Sequence, residues 1–510
     1  MVRRGGPWGA AVLLFLVHAY RIYGTDVALI DDAFIFFRYA KHWAQGLGLV
    51  WNAGEPPVEG VSSLLYTALL ALGIRVGLDV VVWATVLNLG LALLVLGLLG
   101  RCAARRFSPL PSWLPPLLLA AMPAFAFWTG TGMDTLLFTF LLTLSVMWVL
   151  DERWVWAGVG FALLSMARLD AVPLFLFTLL FVAAWQRDGR PLLRMGAGFL
   201  PLFLPFFLLR WHYFGWLLPN TYYAKTGGGW LALVEGARYV GAFLRQPRFW
   251  LLFLLAFVGG WRVRSWQVGY VGSVILLLLL RAVFAGGDWM PHFRLFVPLL
   301  PCLALLSALG VSVLFEGGRA PRGLGMGVVS GVLVVVLMGP SWQVLYRTPW
   351  RVWRPLRLVE PMHASQYAMG LALRAHVCPD DTIALIAAGA AAYLNDDHVI
   401  IDMLGLNDVH VAHSPPQVYK GRWDSGHVRL DVAYLLQRRP EWIQLDTHLF
   451  PSPEFYPRDW MPTQRLWQTE AIRRLYEVVP LRVEVPTNSP RPRVGYIFFL
   501  HRRDAPRCYK

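Results

Sequence analysis

Apolar runs of about 15 to 22 residues recur from the N-terminus to near residue 340, each close to the length that crosses the hydrocarbon of a bilayer. Few folds are open to such a chain: its runs are helical spans, and its polar residues gather in the loops between them. Candidate spans lie at 8–24, 80–100, 108–129, 133–150, 154–168, 170–186, 195–214, 248–261, 266–284, 293–315 and 324–341, eleven in all. The sequence is 57% hydrophobic and 15% charged, and its 24 Trp and 30 Phe suit a surface that meets lipid and headgroups. Beyond the last run, charge, His and Pro become more frequent and no further span follows. The expected fold is therefore an α-helical polytopic membrane domain over 1–341, with a first external loop at 25–79, followed by a soluble α/β domain over 342–510.

The start, "MVRRGGPWGAAVLLFLVHAY", has the basic flank and apolar core of a signal peptide. No small-x-small cleavage site follows it and many spans come after, so it reads as an uncleaved first span. The stretch 61–76, "VSSLLYTALLALGIRV", is short and reads as an interfacial helix. "RCAARR" (101–106) then shares the cytoplasmic side with Arg3 and Arg4, followed by "QRDGRPLLR", "WRVRSW" and "EGGRAPRG". A single span over 154–186 would reverse every later loop. With this topology the unusual polar stretches and the C-terminal domain fall together outside the cytoplasm. The formal net charge of +15 follows from arginines in short loops, which membrane topology accounts for without a nucleic-acid partner.

In the soluble part, "TIALIAAG", "HVIIDMLG" and "PEWIQLD" read as buried strands, with "AAAYL" a short helix between the first two. "RVEV" and "GYIFFLHR" can pair as an antiparallel edge, and the Pro-rich pieces 451–462 and 486–492 read as loops. The four cysteines show no metal spacing; Cys378 and Cys508 are a candidate disulfide.

Ionisable residues at or within a bilayer are costly, so each is a candidate for a pathway or a site. Asp31 and Asp32 precede an aromatic helix, "AFIFFRYAKHWA". One acid can cap that helix; the second is unexplained by capping, and two close carboxylates can hold different protonation states, one acting as a general base. Arg38, on the same helix, is either a snorkelling cation or a phosphate contact. Lys225 stands beside the glycines of "PNTYYAKTGGG", a flexible loop or a phosphate cradle but not a P-loop. "GGDWMPHFR" puts Asp288, His292 and Arg294 together. Arg168 and Asp170 can pair with each other, and Asp134 can cap the span that follows it. "IDMLGLNDVHVAHS" gathers Asp402, Asn407, Asp408, His410 and His413; the histidines are three apart, yet spacing dictates no third ligand, so a polar loop is read rather than a metal site.

Taken in order, these segments resemble a family. "DDAFIFFRYAKHWAQGLGLVWNAGEPPVEGVSS", "GMDTLLF", "ARLDA", "PNTYYAK", "GGDWMPHFRLFVPLLP" and "IDMLGLND" look like the motif series of GT-C-type membrane glycosyltransferases. The likeness is closest to the bacterial group containing the mycobacterial terminal arabinofuranosyltransferase AftB. It spans residues 31 to about 410. The resemblance implies about eleven or more spans, helices of the first loop lying on the membrane, and an external C-terminal domain. It further implies a polyprenyl-phosphate sugar donor, a glycan, lipid or protein acceptor, and inverting transfer on the non-cytoplasmic face of a bacterial plasma membrane. No cofactor is expected, and the residues supply no obvious metal cage, metal-bound members of the family being a different branch. On the matching positions, Asp31 or Asp32 is the base, with Asp31 favoured. Substrate contacts fall to Arg38, Asn52, Glu59, Asp134, Arg168, Asp170, Asn220, Lys225, Asp288, His292, Arg294, Asn407 and Asp408. The sequence departs from the group in having Leu169 and Asp170 where Pro and Glu are expected, and Asp134 where Glu is common. The alternatives are a transporter or flippase of lipid-linked sugars and a scaffold. A transporter is expected to show repeated halves and polar groups on both faces, and neither is evident.

Overall fold

The computed structural model describes residues 6–23, 29–107, 110–315, 322–347, 361–421, 423–424, 426–485 and 493–508. Arg3, Arg4 and the loop segments 316–321 and 486–492 lie outside the described residues. In chain order the helices to residue 225 are α1 (Gly6–Tyr23), α2 (Ala33–Ala44), α3 (Leu64–Arg75), α4 (Val80–Arg106), α5 (Leu114–Ala120), α6 (Pro123–Thr129), α7 (Thr135–Leu150), α8 (Trp154–Ala167), α9 (Val172–Gln186), α10 (Arg190–Phe214) and α11 (Asn220–Lys225). There follow α12 (Gly229–Leu244), α13 (Pro247–Val263), α14 (Trp266–Phe284), α15 (Leu300–Leu314), α16 (Arg322–Arg347) and α17 (Pro361–Arg374).

Over its described residues each candidate span is mostly helical. Among the described residues five helices are long and apolar enough to cross a membrane, or up to six if the bent pair α12–α13, with an 84° angle at its break, is one span. Several others, α7 and α8 among them, are apolar but shorter. The run at 108–129 is two helices, because Pro123 at the start of α6 lacks the N–H that would continue the ladder from α5. Helix α12 was not expected; its Glu235 and Arg238 form an ion pair one turn apart and break up the apolar pattern.

Packing groups the chain into two compact units. A helical unit comprises 1–27, 85–209 and 232–356; a sheet unit comprises 28–84, 210–231 and 357–510. In the helical unit α15 is buried almost all round. It packs on α13, where a Cβ on Gly310 would stand 2.0 Å from the Leu255 carbonyl oxygen, so the two backbones touch only because that residue is glycine.

The sheet unit is built on five strands: β1 (Thr382–Leu385), β2 (Val399–Asp402), β3 (Trp442–Gln444), β4 (Tyr476–Val485) and β5 (Arg493–Arg502), in the order β2-β1-β3-β5-β4. β1 is parallel to β2 and β3, with Ile383 opposite Ile400, whereas β5 is antiparallel to β3 and β4. The expected strands are all present, and the short helix Ala390–Leu394 connects β1 towards β2. Strand β4 starts six residues before the "RVEV" segment. Pro480 in its middle hid the earlier part, and the strand tolerates it because β4 is an edge. The core gathers Ala384, Ile401, Ile443, Leu445, Phe498 and Leu500.

Cys378 and Cys508 form a disulfide that ties the segment before β1 to the C-terminus. Cys378→Ser is expected to lower the stability of the sheet unit by about 2–5 kcal/mol. Thermal unfolding with and without reductant measures this, and equal curves would show that the bridge contributes nothing.

Candidate functional site

The chain enters α2 through Asp31 and Asp32. The first amides of this helix are satisfied by turn bonds: the Ala33 N–H donates to the Ile30 carbonyl (2.9 Å) and the Phe34 N–H to that of Asp31 (3.0 Å). Asp32 holds the N-cap position without a side-chain capping bond. Those two amides therefore do not require either carboxylate. The Asp31 carboxylate instead meets the start of Ala390–Leu394, where its Oδ1 accepts the Ala390 N–H at 2.8 Å. A Cβ on Gly389 would stand 2.1 Å from the Asp31 carbonyl oxygen and 2.4 Å from Oδ2, so only glycine fits. Burial pushes the Asp31 carboxyl up to about 7; the Ala390 amide pulls it down and the neighbouring Asp32 charge adds to the rise. Asp32 is half-buried and the more accessible of the two.

Arg38, the sixth residue of the same helix, is fully buried. Its Nε donates to the Trp51 carbonyl (2.8 Å), Nη1 to that of Ala392, and Nη2 to Asn52 Oδ1 (3.1 Å) and the His398 carbonyl (3.3 Å). These bonds occupy the guanidinium, which also stacks on Trp51 at 4.6 Å. It serves to hold the first loop rather than to offer a free fork for phosphate. Asn52 acts in the same way: its amide exchanges both hydrogen bonds with the backbone of Ile400 (3.0 and 3.1 Å), completing the open edge of β2. The Trp51 indole adds a bond to the same carbonyl at 2.9 Å.

Three distant motifs then converge. Glu59, of the Val-Glu-Gly segment, forms a buried two-pronged pair with Arg210 at the end of α10; Arg210 Nε lies 2.9 Å from Glu59 Oε1. Burial raises the Glu59 carboxyl to about 6 against the pull of that arginine. The Glu59 carbonyl accepts the Asn220 N–H at 3.1 Å. The Asn220 side chain donates in turn to the carbonyls of Gly405 (2.8 Å), Leu406 (3.0 Å) and Asp408 (3.3 Å). That loop is shaped by Asp402, which accepts the backbone amides of Leu404, Gly405 and Asn407 and the Asn407 side chain. Asp408 caps the short helix Val409–His413 through the Val411 N–H (3.0 Å) and accepts the Tyr434 hydroxyl (3.0 Å). Lys225 closes α11 and is half-buried, its Cε 3.6 Å from where a Cβ on Gly426 would stand. Arg429 pins the same stretch by donating to the carbonyls of Tyr223 (3.0 Å) and Thr226 (2.7 Å). His410 and His413 do not converge: His410 stacks on Tyr434 and bonds Asp431, whereas His413 lies against Trp216 and Tyr223.

The helical unit collects the remaining sequence candidates. Asp170 accepts Arg281 (2.8 and 2.6 Å) and Arg168 (3.3 Å), and Arg168 also lies 3.6 Å from Asp134. Asp134 stands at the N-cap of α7 but makes no side-chain capping bond, contrary to the expectation that it caps this span. Asp288 pairs with Arg294 at 2.7 Å. His292 stays apart from that pair; its ring faces Phe127 at 4.5 Å, and both it and Phe293 hold left-handed backbone angles, φ 54° and 53°. The rings of Phe138 and Trp128 lie beneath the arginines. Sequence reading missed Arg210 and Arg281. Each is a lone arginine near the end of an apolar run, "FFLLRWHYF" and "LLLLLRAVF", and the rule that ionisable groups in spans have partners finds both.

Against known proteins, a family model described as a domain of unknown function (DUF8728) matches residues 356–483. No curated protein matches the sequence. The whole fold is similar to the crystal structure of ArnT from Cupriavidus metallidurans bound to undecaprenyl phosphate, with 12% identity, a TM-score of 0.53 and 96% of each chain covered. It is similar also to the Archaeoglobus fulgidus oligosaccharyltransferase tethered with an acceptor peptide, with 11% identity, a TM-score of 0.51, and 97% of this chain and 74% of that one covered. A weaker likeness, with a TM-score of 0.46 at 12% identity, is to the arabinofuranosyltransferase AftD from mycobacteria over 99% of this chain and 40% of that one. The likeness to ArnT and to the oligosaccharyltransferase shows a shared fold.

The Glu59–Arg210 pair predicts a specific stability pattern. Arg210→Met, which leaves Glu59 buried without its cation, is expected to cost about 3–5 kcal/mol, and adding Glu59→Gln to recover most of that loss. Thermal unfolding of the two single variants, the double variant and the parent tests this; a double variant no better than Arg210→Met would refute it.

Proposed function

We propose that this chain is an inverting membrane glycosyltransferase that moves a sugar from a polyprenyl-phosphate donor to an envelope glycan, lipid or protein acceptor. The observation that carries the reading is the acidic pair: Asp31 is buried, aimed by the Ala390 amide and shifted towards neutrality, and the accessible Asp32 stands beside it. The shared fold supports it, since the ArnT structure holds undecaprenyl phosphate and the oligosaccharyltransferase structure holds an acceptor peptide. The ordered motif series favours the group containing AftB. The Cys378–Cys508 bridge favours an oxidising, non-cytoplasmic setting for the sheet unit.

In the proposed reaction the acceptor hydroxyl attacks the anomeric carbon. Its proton passes to Asp31, the new C–O bond forms, and the bond from the anomeric carbon to the phosphate oxygen breaks, releasing polyprenyl phosphate with inversion. Asp32 orients the acceptor. Lys225 supplies a cation for the departing phosphate. Arg38 is not carried forward in that role, because its bonds are taken by the loop it holds. Arg294 and Arg168 remain proposed substrate contacts; each already has a carboxylate partner that a bound phosphate would have to share.

Because the folded Asp31 carboxyl sits above its ordinary value, the folded protein holds an extra proton between about pH 4 and pH 7, and the base form appears only as pH rises through about 7. Sugar transfer, measured as kcat/KM in nanodiscs, is expected to climb across that limb. Asp31→Asn, which keeps an acceptor for the Ala390 amide, is expected to lower turnover by about a hundredfold or more and to remove the limb. Full activity in Asp31→Asn, Asp32→Asn and the double variant would overturn the assignment of a base to this pair.

A further inference from the structure

The "RCAARR" segment is explained above only as a topology signal, yet in the fold it forms one wall of a pocket. The end of α4 and the α7–α8 turn enclose a cavity of about 260 Å³ lined by Arg101, Arg105 and Arg153, by Asp151, and by apolar side chains including Leu144 and Trp148. Two ordinary explanations cover the arginines separately: cations favour helix C-termini, and they favour one side of a membrane. Neither explains why three of them share one cavity with apolar walls.

The charge there is unbalanced. Asp151 is satisfied from outside the pocket lining by Arg106, whose Nε donates to it at 2.7 Å; Arg105 stands farther off, at 3.9 Å. Among the described residues, neither Arg101 nor Arg153 has a carboxylate within ion-pair reach. The lining itself carries three cations and one acid, and with the adjacent Arg106 and Glu152 the two segments hold four cations and two acids. The depth is marked by tryptophan: Trp148 packs against Trp156 at 5.9 Å, and Trp156 is exposed, as rings at the headgroup level are.

We propose that this pocket binds the headgroup of an anionic phospholipid. Its phosphate sits against Arg101, Arg105 and Arg153, and its chains run down the apolar side by Leu144. Cationic pockets between helix ends at the headgroup level recognise anionic lipids in this way, at about a fivefold gain in affinity per arginine. The proposal does not depend on the sugar-transfer reading, since none of these residues belongs to the proposed machinery.

The test is native mass spectrometry of the delipidated full chain in detergent, titrated with phosphatidylglycerol or with phosphatidylcholine of the same chain length. Phosphatidylglycerol is expected to be retained preferentially, and Arg101→Gln with Arg153→Gln to weaken its retention about 25-fold while leaving phosphatidylcholine unchanged. Leu144→Trp, which fills the cavity without altering charge, is expected to weaken it as well. Equal retention of phosphatidylglycerol by parent and both variants would overturn the proposal. So would displacement of the lipid by an equal concentration of inorganic phosphate, which would mark the pocket as a site for a soluble anion.

Discussion

The sheet unit depends on one buried guanidinium. Arg38 bonds onward to Trp51 and Asn52 of the loop that follows its helix and across to the Ala392 and His398 carbonyls, so that loop and the segment flanking β2 are fixed by a single side chain. A buried charge is tolerated only when its donors are all used by well-placed acceptors. Asn52 extends the same logic by closing the edge strand through Ile400. With these clamps in place, the turn before α2 has no freedom to wander, and the Asp31 carboxylate meets the Gly389–Ala390 backbone.

Much of this was legible in the sequence, and the reasons are physical. Spans announce themselves by length, and buried parallel strands such as "TIAL" and "VIID" by short β-branched runs between turn signals. The acidic pair was visible because two carboxylates beside a bilayer are hard to place otherwise. What could not be read was who meets whom. The partner of Asp31 lies 359 residues away, and nothing in "AAGAAAYL" marks Gly389 as the residue whose missing side chain admits it. Arg38 read as either a snorkelling cation or a phosphate contact because three of its four acceptors are backbone carbonyls, which sequence does not display. Asp134 looked like a cap because Arg168, the cation it faces, lies 34 residues farther along the chain.

The polar groups of the helical unit follow a second constraint. Asp134, Asp170 and Asp288 are each within reach of an arginine, and the arginines rest on aromatic rings. Apolar surroundings favour such balanced sets, because an isolated charge there is expensive. The same accounting separates the "RCAARR" pocket from this network: there the cations outnumber the acids, and the excess asks for an anion from outside the chain.

The central claim is that the sheet unit aims Asp31 for proton abstraction, and the most direct measurement is kcat for sugar transfer by Gly389→Ala. The added methyl would collide with Asp31 while sparing every proposed substrate contact. A shift of this kind at a reacting group is expected to lower kcat by about a hundredfold, with KM near that of the parent and an unfolding temperature lowered by the clash with the Asp31 carbonyl. A variant that folds normally, carries the methyl and turns over at the parent rate would contradict the account.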